Sequence, residues 1–93
     1  MSVQLFPMGQ IVATPGALAA IIDDAQQLPQ EFLQRHSQGD WGEVCEEDSK
    51  ENNFSVIQGF RILSAYTLNN GTKIWIITES DRSVTTILLP EEY

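Results

Sequence analysis

FRILSAYTLNNGTKIWIITESDRSVTTILL, residues 60–89, contains three runs rich in β-branched and aromatic residues: FRILSAYTL, KIWIITES and SVTTILL. Asn70-Gly71 separates the first two. It is the strongest short hairpin signal, because a two-residue type I′ turn needs positive φ at both central positions. With those residues at the turn, Tyr66 is predicted opposite Trp75 and Ser64 opposite Ile77. Ser80-Asp81-Arg82-Ser83 marks a second tight turn. Centred on Asp81-Arg82, it places Trp75 opposite Leu88 and Ile76 opposite Ile87. The prediction is a three-stranded antiparallel meander.

Both faces of that meander are apolar. One is predicted to carry Ile62, Tyr66, Trp75, Ile77, Val84 and Leu88, and the other Leu63, Ala65, Ile74, Ile76, Ile87 and Leu89. Helices can cover one face. The second needs the remaining helix, the N-terminal segment or another subunit, so a homodimer is one solution.

Upstream, Gln10-Ile11-Val12-Ala13 reads as a first strand. Thr14-Pro15-Gly16 starts a helix, since Thr14 can accept from a free amide and Pro15 suits the first helical position. Leu18, Ile21, Ile22 and Ala25 follow helical spacing, which predicts the buried face. Leu28-Pro29 breaks that helix and Pro29 opens another. Phe32, Leu33 and His36 share a face of this second helix, and Gly39 is its predicted stop. From Asp40 to Asn53 there is almost no apolar stripe. A short turn and an exposed helix are expected, firming up at Phe54, Val56 and Ile57 and ending at Gly59. The fold class is therefore α+β: an N-terminal strand and two to three helices, then the meander. Residues 1–93 form a single domain on this reading, with no repeat or low-complexity segment.

Composition narrows the function classes. Of 93 residues, 42% are hydrophobic and 19% charged, as in a globular chain rather than a disordered one. No apolar run approaches the roughly 20 residues that span a bilayer, and MSVQLFPMGQ lacks the basic start of a signal peptide. A single cysteine, Cys45, forms no internal disulfide, and a cytoplasmic location is the plain expectation. Thirteen acidic residues against five basic ones give a net charge of −8. Arg35, Lys50, Arg61, Lys73 and Arg82 are scattered, whereas phosphate binding needs clustered cations, so neither direct nucleic-acid binding nor a membrane surface is expected.

HSQGDWGEV, residues 36–44, is the stretch with the most chemistry, followed directly by Cys45. A His36–Cys45 hydrolase pair is disfavoured, because GEVCEED surrounds the thiol with carboxylates that discourage the thiolate. His36, Asp40 and Glu43 offer a mixed nitrogen and oxygen set, yet their spacing matches neither a zinc pattern nor a calcium loop. No glycine-rich phosphate loop or serine elbow is present. No cofactor is indicated. The structural reading is a helix–helix corner of Gly39, Asp40, Trp41, Gly42 and Glu43. In it, Asp40-x-x-Glu43 acts as a capping box, Trp41 as an apolar anchor and Gly42 as a point of close backbone approach.

Two features point to interaction. The acidic run Asp40, Glu43, Glu46, Glu47, Asp48 and Glu51 can present carboxylates much as DNA presents phosphates. The ending LLPEEY leaves Glu91, Glu92 and Tyr93 as a tail with an aromatic group, which is either frayed or a docking element.

HSQGDWGEV, LSAY and IWIITESDRSVTTILLPEEY together resemble a family of short bacterial proteins carried on plasmids and integrating elements. The likeness runs from about Phe6 to Tyr93. Members carry labels such as plasmid-related protein or restriction-modification subunit. The second label does not suit this chain, because a methyltransferase subunit needs a far larger cofactor-binding sheet. The resemblance implies a mobile-element setting and carries no functional residue. The expected function is a non-enzymatic interaction protein of bacterial mobile elements. It would engage a protein partner, such as a basic DNA-handling protein, through its acidic surface as a DNA mimic against host defence. Two alternatives stay open: a small hydrolase or metal-dependent enzyme using His36, Asp40 and Glu43, and a structural homodimer subunit.

Overall fold

A computed structural model describes residues 3–93. Its elements are β1 (Gln10–Ala13), α1 (Pro15–Leu18) continuing into a π-helical segment (Ala19–Asp24), α2 (Pro29–Ser37), α3 (Glu46–Gln58), β2 (Ile62–Thr67), β3 (Lys73–Thr78), β4 (Val84–Leu88) and a 3₁₀ turn (Pro90–Glu92). The α+β class and the leading strand are as expected. The sheet is not the predicted three-stranded meander. It has four strands in the order β1-β4-β3-β2, and β1 runs parallel to β4. The strand is where its pattern predicts it, but its partner lies some seventy positions away and no local signal marks the pairing.

The second hairpin has the predicted register, with Trp75 opposite Leu88 and Ile76 opposite Ile87. The first is shifted by one. Tyr66 lies opposite Ile74, Ala65 opposite Trp75 and Ser64 opposite Ile76. The loop has three residues, not two: Leu68 and Thr72 close it, Gly71 takes φ +90°, and Asn70 Oδ1 accepts from the Thr72 amide. Because side chains alternate, one residue of slip moves all of β2 to the opposite face. The faces predicted from a two-residue turn therefore exchange their β2 members. Ile62, Ser64 and Tyr66 join Ile74, Ile76, Thr78, Thr85 and Ile87 on the buried face, and Leu63 and Ala65 join Trp75, Ile77 and Leu88 on the other. This register lets Tyr66 and Leu68, 1% and 2% exposed, both enter the core, which outweighs the local preference of Asn-Gly for the tighter turn.

Thr14 caps α1 as predicted, its hydroxyl accepting from the Ala17 amide. The buried face of the first helix differs from the expected one. Ala17, Ala20, Ile21 and Ala25 are buried, whereas Leu18 and Ile22 remain 38% and 45% exposed. Small side chains let this helix sit close against the sheet, and the bulkier pair faces away. The π-helical turn closes with the Ala25 amide on the Ala20 carbonyl, and Gln26 leaves it at φ 56°. In α2, Phe32, Leu33 and His36 are all buried, with Ser37 beside them. α3 docks by Asn52, Ser55 and the expected Val56, which packs against Phe6, Trp41 and Ile62, whereas Phe54 and Ile57 are 50% and 79% exposed. It ends at Gly59, in the left-handed region, as predicted.

The face bearing Trp75 is met by the C-terminal end of the chain, which follows the 3₁₀ turn. Ile77 and Leu88 are buried there, and the Tyr93 ring meets Trp75 edge-on with centroids 5.6 Å apart.

Gly42 lies against β2 at φ +74°, where an added Cβ would stand 2.0 Å from the Ala65 carbonyl oxygen and 2.6 Å from the Tyr66 ring. At Gly59 the φ is +81° but the space is open. Gly42→Ala is expected to destabilise the chain by about 3 kcal/mol or more, combining left-handed strain with overpacking. Gly59→Ala should cost about 1 kcal/mol, from backbone strain alone. Urea unfolding of the two variants measures the difference; equal losses would mean that the approach of residues 41–43 to β2 is loose.

Candidate interaction surface

The GDWGE corner is built differently from a capping box. α3 begins at Glu46, with Cys45 at its cap position, so Asp40 and Glu43 cap nothing. Asp40 instead turns back to Arg35, its Oδ2 accepting from Nε at 2.7 Å, and its Oδ1 accepts from the Gly42 amide. The Arg35 hydrogen bond holds the Asp40 carboxyl below its ordinary range, and Asp40 raises Arg35 in turn. The Arg35 guanidinium also lies 4.6 Å from the Tyr66 ring centroid, and the Tyr66 hydroxyl donates to the Asp40 carbonyl. Burial pushes Tyr66 up to about 12, so it stays a donor at any physiological pH. The sequence signal was real but served another partner: an arginine five residues back competes better for Asp40 than backbone amides that a helix has yet to present.

Beyond Asp40, the chain pairs with the free edge of β2. The Ala65 amide donates to the Trp41 carbonyl, and the Glu43 amide donates to the Ala65 carbonyl. Asn52 of α3 completes this edge, donating to the Leu63 carbonyl and accepting from the Leu63 amide. Trp41 is the expected anchor. It is 4% exposed, packed with Phe6 and Ile62, and its indole N–H donates to Asn53. Asn52 and Asn53 were not singled out from the sequence; their only signal is two adjacent amides in a helix otherwise rich in charge.

His36 is fully buried, with Phe6 and Trp41 edge-on to its ring. Both ring nitrogens are occupied, Nδ1 by Ser64 Oγ at 2.5 Å and Nε2 by Thr78 Oγ1 at 2.9 Å. Thr78 meets Thr85 at 2.7 Å, and Thr85 donates to the Met8 carbonyl. A hydroxyl has one proton to give, so this chain has a direction. Thr85 gives its proton to Met8, Thr78 gives its own to Thr85, and Nε2–H of His36 donates to Thr78. Nδ1 then accepts from Ser64. The tautomer is thereby assigned from the bonds, with no lone pair left for a metal or a substrate. His36, Asp40 and Glu43 do not converge, and among the described residues no group of three His, Cys, Asp or Glu is placed to hold a metal ion.

The acidic residues lie outward. Asp40, Glu43, Glu46, Glu47, Asp48 and Glu51 are all exposed. Lys50 stands 3.6 Å from Glu46 and Lys73 3.9 Å from Glu43, both pairs well solvated. Asp48 and Glu51 line a shallow cleft with Asn52, Arg61 and Leu63. The tail is docked. Glu92 accepts from the Thr14 hydroxyl at 2.6 Å and from the Leu89 amide at 2.8 Å, which lowers its pKa, and Arg61 lies 5.6 Å from the Tyr93 ring centroid. Glu91 projects freely into solvent. The sequence places Arg82 at the second turn but gives no signal of its reach to α3. At φ 61° Arg82 reaches from the β3–β4 turn to the Phe60 and Ser55 carbonyls, fastening the end of α3 to the sheet.

The chain matches no family model, no curated protein and no solved structure. No described helix is long and apolar enough to cross a membrane.

Burial, with a smaller push from Arg82, lowers His36 from 6.5 to about 4. The unfolded chain therefore takes up a proton near pH 6.5, while the folded chain resists until about pH 4. The His36 contribution to stability should be constant above pH 7, fall as pH drops through that window, and amount to a loss of about 3 kcal/mol by its lower end. Urea titrations between pH 7.5 and 4.5 should show this decline, and His36→Gln should be less stable at neutral pH but flat across the window. A wild type that is flat there would contradict a buried neutral imidazole.

Proposed function

We propose that the chain is a non-enzymatic interaction protein that engages a basic protein partner through its acidic surface, as a DNA mimic. The observation that supports this most is the exposure of every carboxylate in the run from Asp40 to Glu51. Four of them, Glu46, Glu47, Asp48 and Glu51, fall within roughly 8 Å of helix axis at 1.5 Å per residue. Duplex DNA carries one charge per about 1.7 Å of its axis, a comparable density. Lys50 and Lys73 offset part of this charge but sit in long, solvated pairs that a partner's cations could replace. α3 is held to the β2 edge by Asn52 and to the β3–β4 turn by Arg82, so the carboxylates stand on a fixed scaffold. The setting in bacterial mobile elements, with the cytoplasm as location and host defence as target, rests on the resemblance of HSQGDWGEV and IWIITESDRSVTTILLPEEY.

The test is inhibition of DNA cleavage by a panel of purified bacterial restriction endonucleases at low salt. The chain is expected to inhibit at least one, and less so as salt rises, because exposed charges are screened. Replacing Glu46, Glu47, Asp48 and Glu51 by their amides should weaken inhibition about tenfold or more, four exposed pairs contributing a few tenths of a kcal/mol each. Inhibition unchanged in that variant, or none at low salt, would overturn the reading.

A further inference from the structure

The two edges of the sheet are treated in opposite ways. On β2, the outward backbone groups of Leu63 and Ala65 are taken by Asn52, Trp41 and Glu43. On β1, nothing among the described residues pairs with the outer side. The Gln10 and Thr14 amides donate inward, to the Ser83 and Ile87 carbonyls, so strand alternation directs the N–H and C=O of Ile11 and Ala13 outward. Natural edges are normally guarded by a charge, a proline, a bulge or a covering segment. QIVA has neither charge nor proline, and Ile11 and Val12 are 45% and 37% exposed.

Charge indicates what pairs there. All thirteen acidic and all five basic side chains lie from Asp23 onward, so the N-terminal segment that supplies β1 and α1 bears no charged side chain. A strongly basic partner finds no acidic side chain on the strand itself. A second copy of the chain, repelled from the acidic faces, meets no charged side chain of the strand itself. The shortest dimension of the molecule is 27 Å, about three Debye lengths at physiological ionic strength, so charges on the far side are screened. Glu92, which reaches the end of β1 through Thr14, is already engaged by that hydroxyl and by the Leu89 amide.

We propose that two copies of the chain pair through β1, antiparallel about a twofold axis at Val12, to form one continuous eight-stranded sheet. Ile11 then exchanges both backbone hydrogen bonds with Ala13 of the partner subunit, and Ala13 does so with Ile11 of the partner subunit. Val12 faces Val12 of the partner subunit across a non-hydrogen-bonded pair, where Cα atoms stand about 4.5 Å apart. This association is independent of the acidic surface and of what that surface binds.

Light scattering on the purified chain should give twice the monomer mass of 10.4 kDa. Val12→Lys sets like charges face to face on the axis and should halve that mass, with an unchanged circular dichroism spectrum. In a Cys45→Ser background, Val12→Cys should oxidise to a covalent dimer, since about 4.5 Å between Cα atoms lies within disulfide reach. Thr67→Cys, exposed on the opposite edge strand, should not. The cross-link decides the matter if the lysine variant fails to fold. A wild type of monomer mass throughout the accessible concentration range would overturn the proposal. So would a folded Val12→Lys dimer, or failure of Val12→Cys to cross-link.

Discussion

The rest of the structure depends on the hydroxyl relay around His36. The imidazole comes from α2, Ser64 from β2, Thr78 from β3 and Thr85 from β4, and the last acceptor is Met8, ahead of β1. Five segments thus meet through polar groups with almost no solvent access. Each member alone would be expensive to bury, because an unmet donor or acceptor loses its water without replacement. Together they are satisfied only when every strand is in register, so the relay rewards one alignment and penalises its neighbours. A sheet one residue out of register in its first hairpin would present Leu63 or Ala65 to the imidazole and leave Nδ1 unpaired.

The corner after α2 extends that constraint to the surface. Trp41 packs beside the imidazole, its indole reaches Asn53, and Gly42 brings the chain close enough for Ala65 to bond on both sides of it. Asn52 then serves the next outward pair at Leu63. An amide side chain is suited to this, since it offers a donor and an acceptor with the spacing that a neighbouring strand would supply. α3 consequently needs little apolar area to dock, and its acidic face is left to solvent. Arg82 secures its other end by donating to the Phe60 carbonyl just past the helix and to the Ser55 carbonyl, which also accepts from the Gly59 amide.

Legibility followed the range of the interactions. Thr14, Pro15, Pro29 and Gly59 act on their nearest neighbours, and each does what its residue type suggests. The β3–β4 register was readable because Ser80 to Ser83 is a local turn between two strands of matching pattern. Asn70-Gly71 misled, since Asn69 joins the loop so that Leu68 and Tyr66 can be buried. Asp40 and Glu43 misled similarly, because Arg35 and the β2 edge compete for them and neither is marked by spacing. His36 was visible as a helix-face residue, but its hydroxyl partners lie 28 and 42 positions away on strands whose order was still open. The parallel seat of β1 had no local signature at all.

The segregation of charge has a physical consequence that the fold makes concrete. A chain with net charge −8 resists its own compaction and its own association. Here the charged side chains are confined to the sequence from Asp23 onward, while the segment before it supplies the first helix's Ala17 and Ala20 contacts and the outermost strand. The acidic residues gather instead where the backbone is already satisfied, on α3 and in the turns, where repulsion is relieved by water. Pairing groups and charges are therefore carried by different edges of one sheet. The β2 side has its hydrogen bonds closed and its carboxylates displayed, whereas β1 carries no charged side chain of its own and, among the described residues, its outer backbone groups are unpaired. The two proposed associations, a cationic surface on one side and a strand on the other, would therefore not compete for the same atoms.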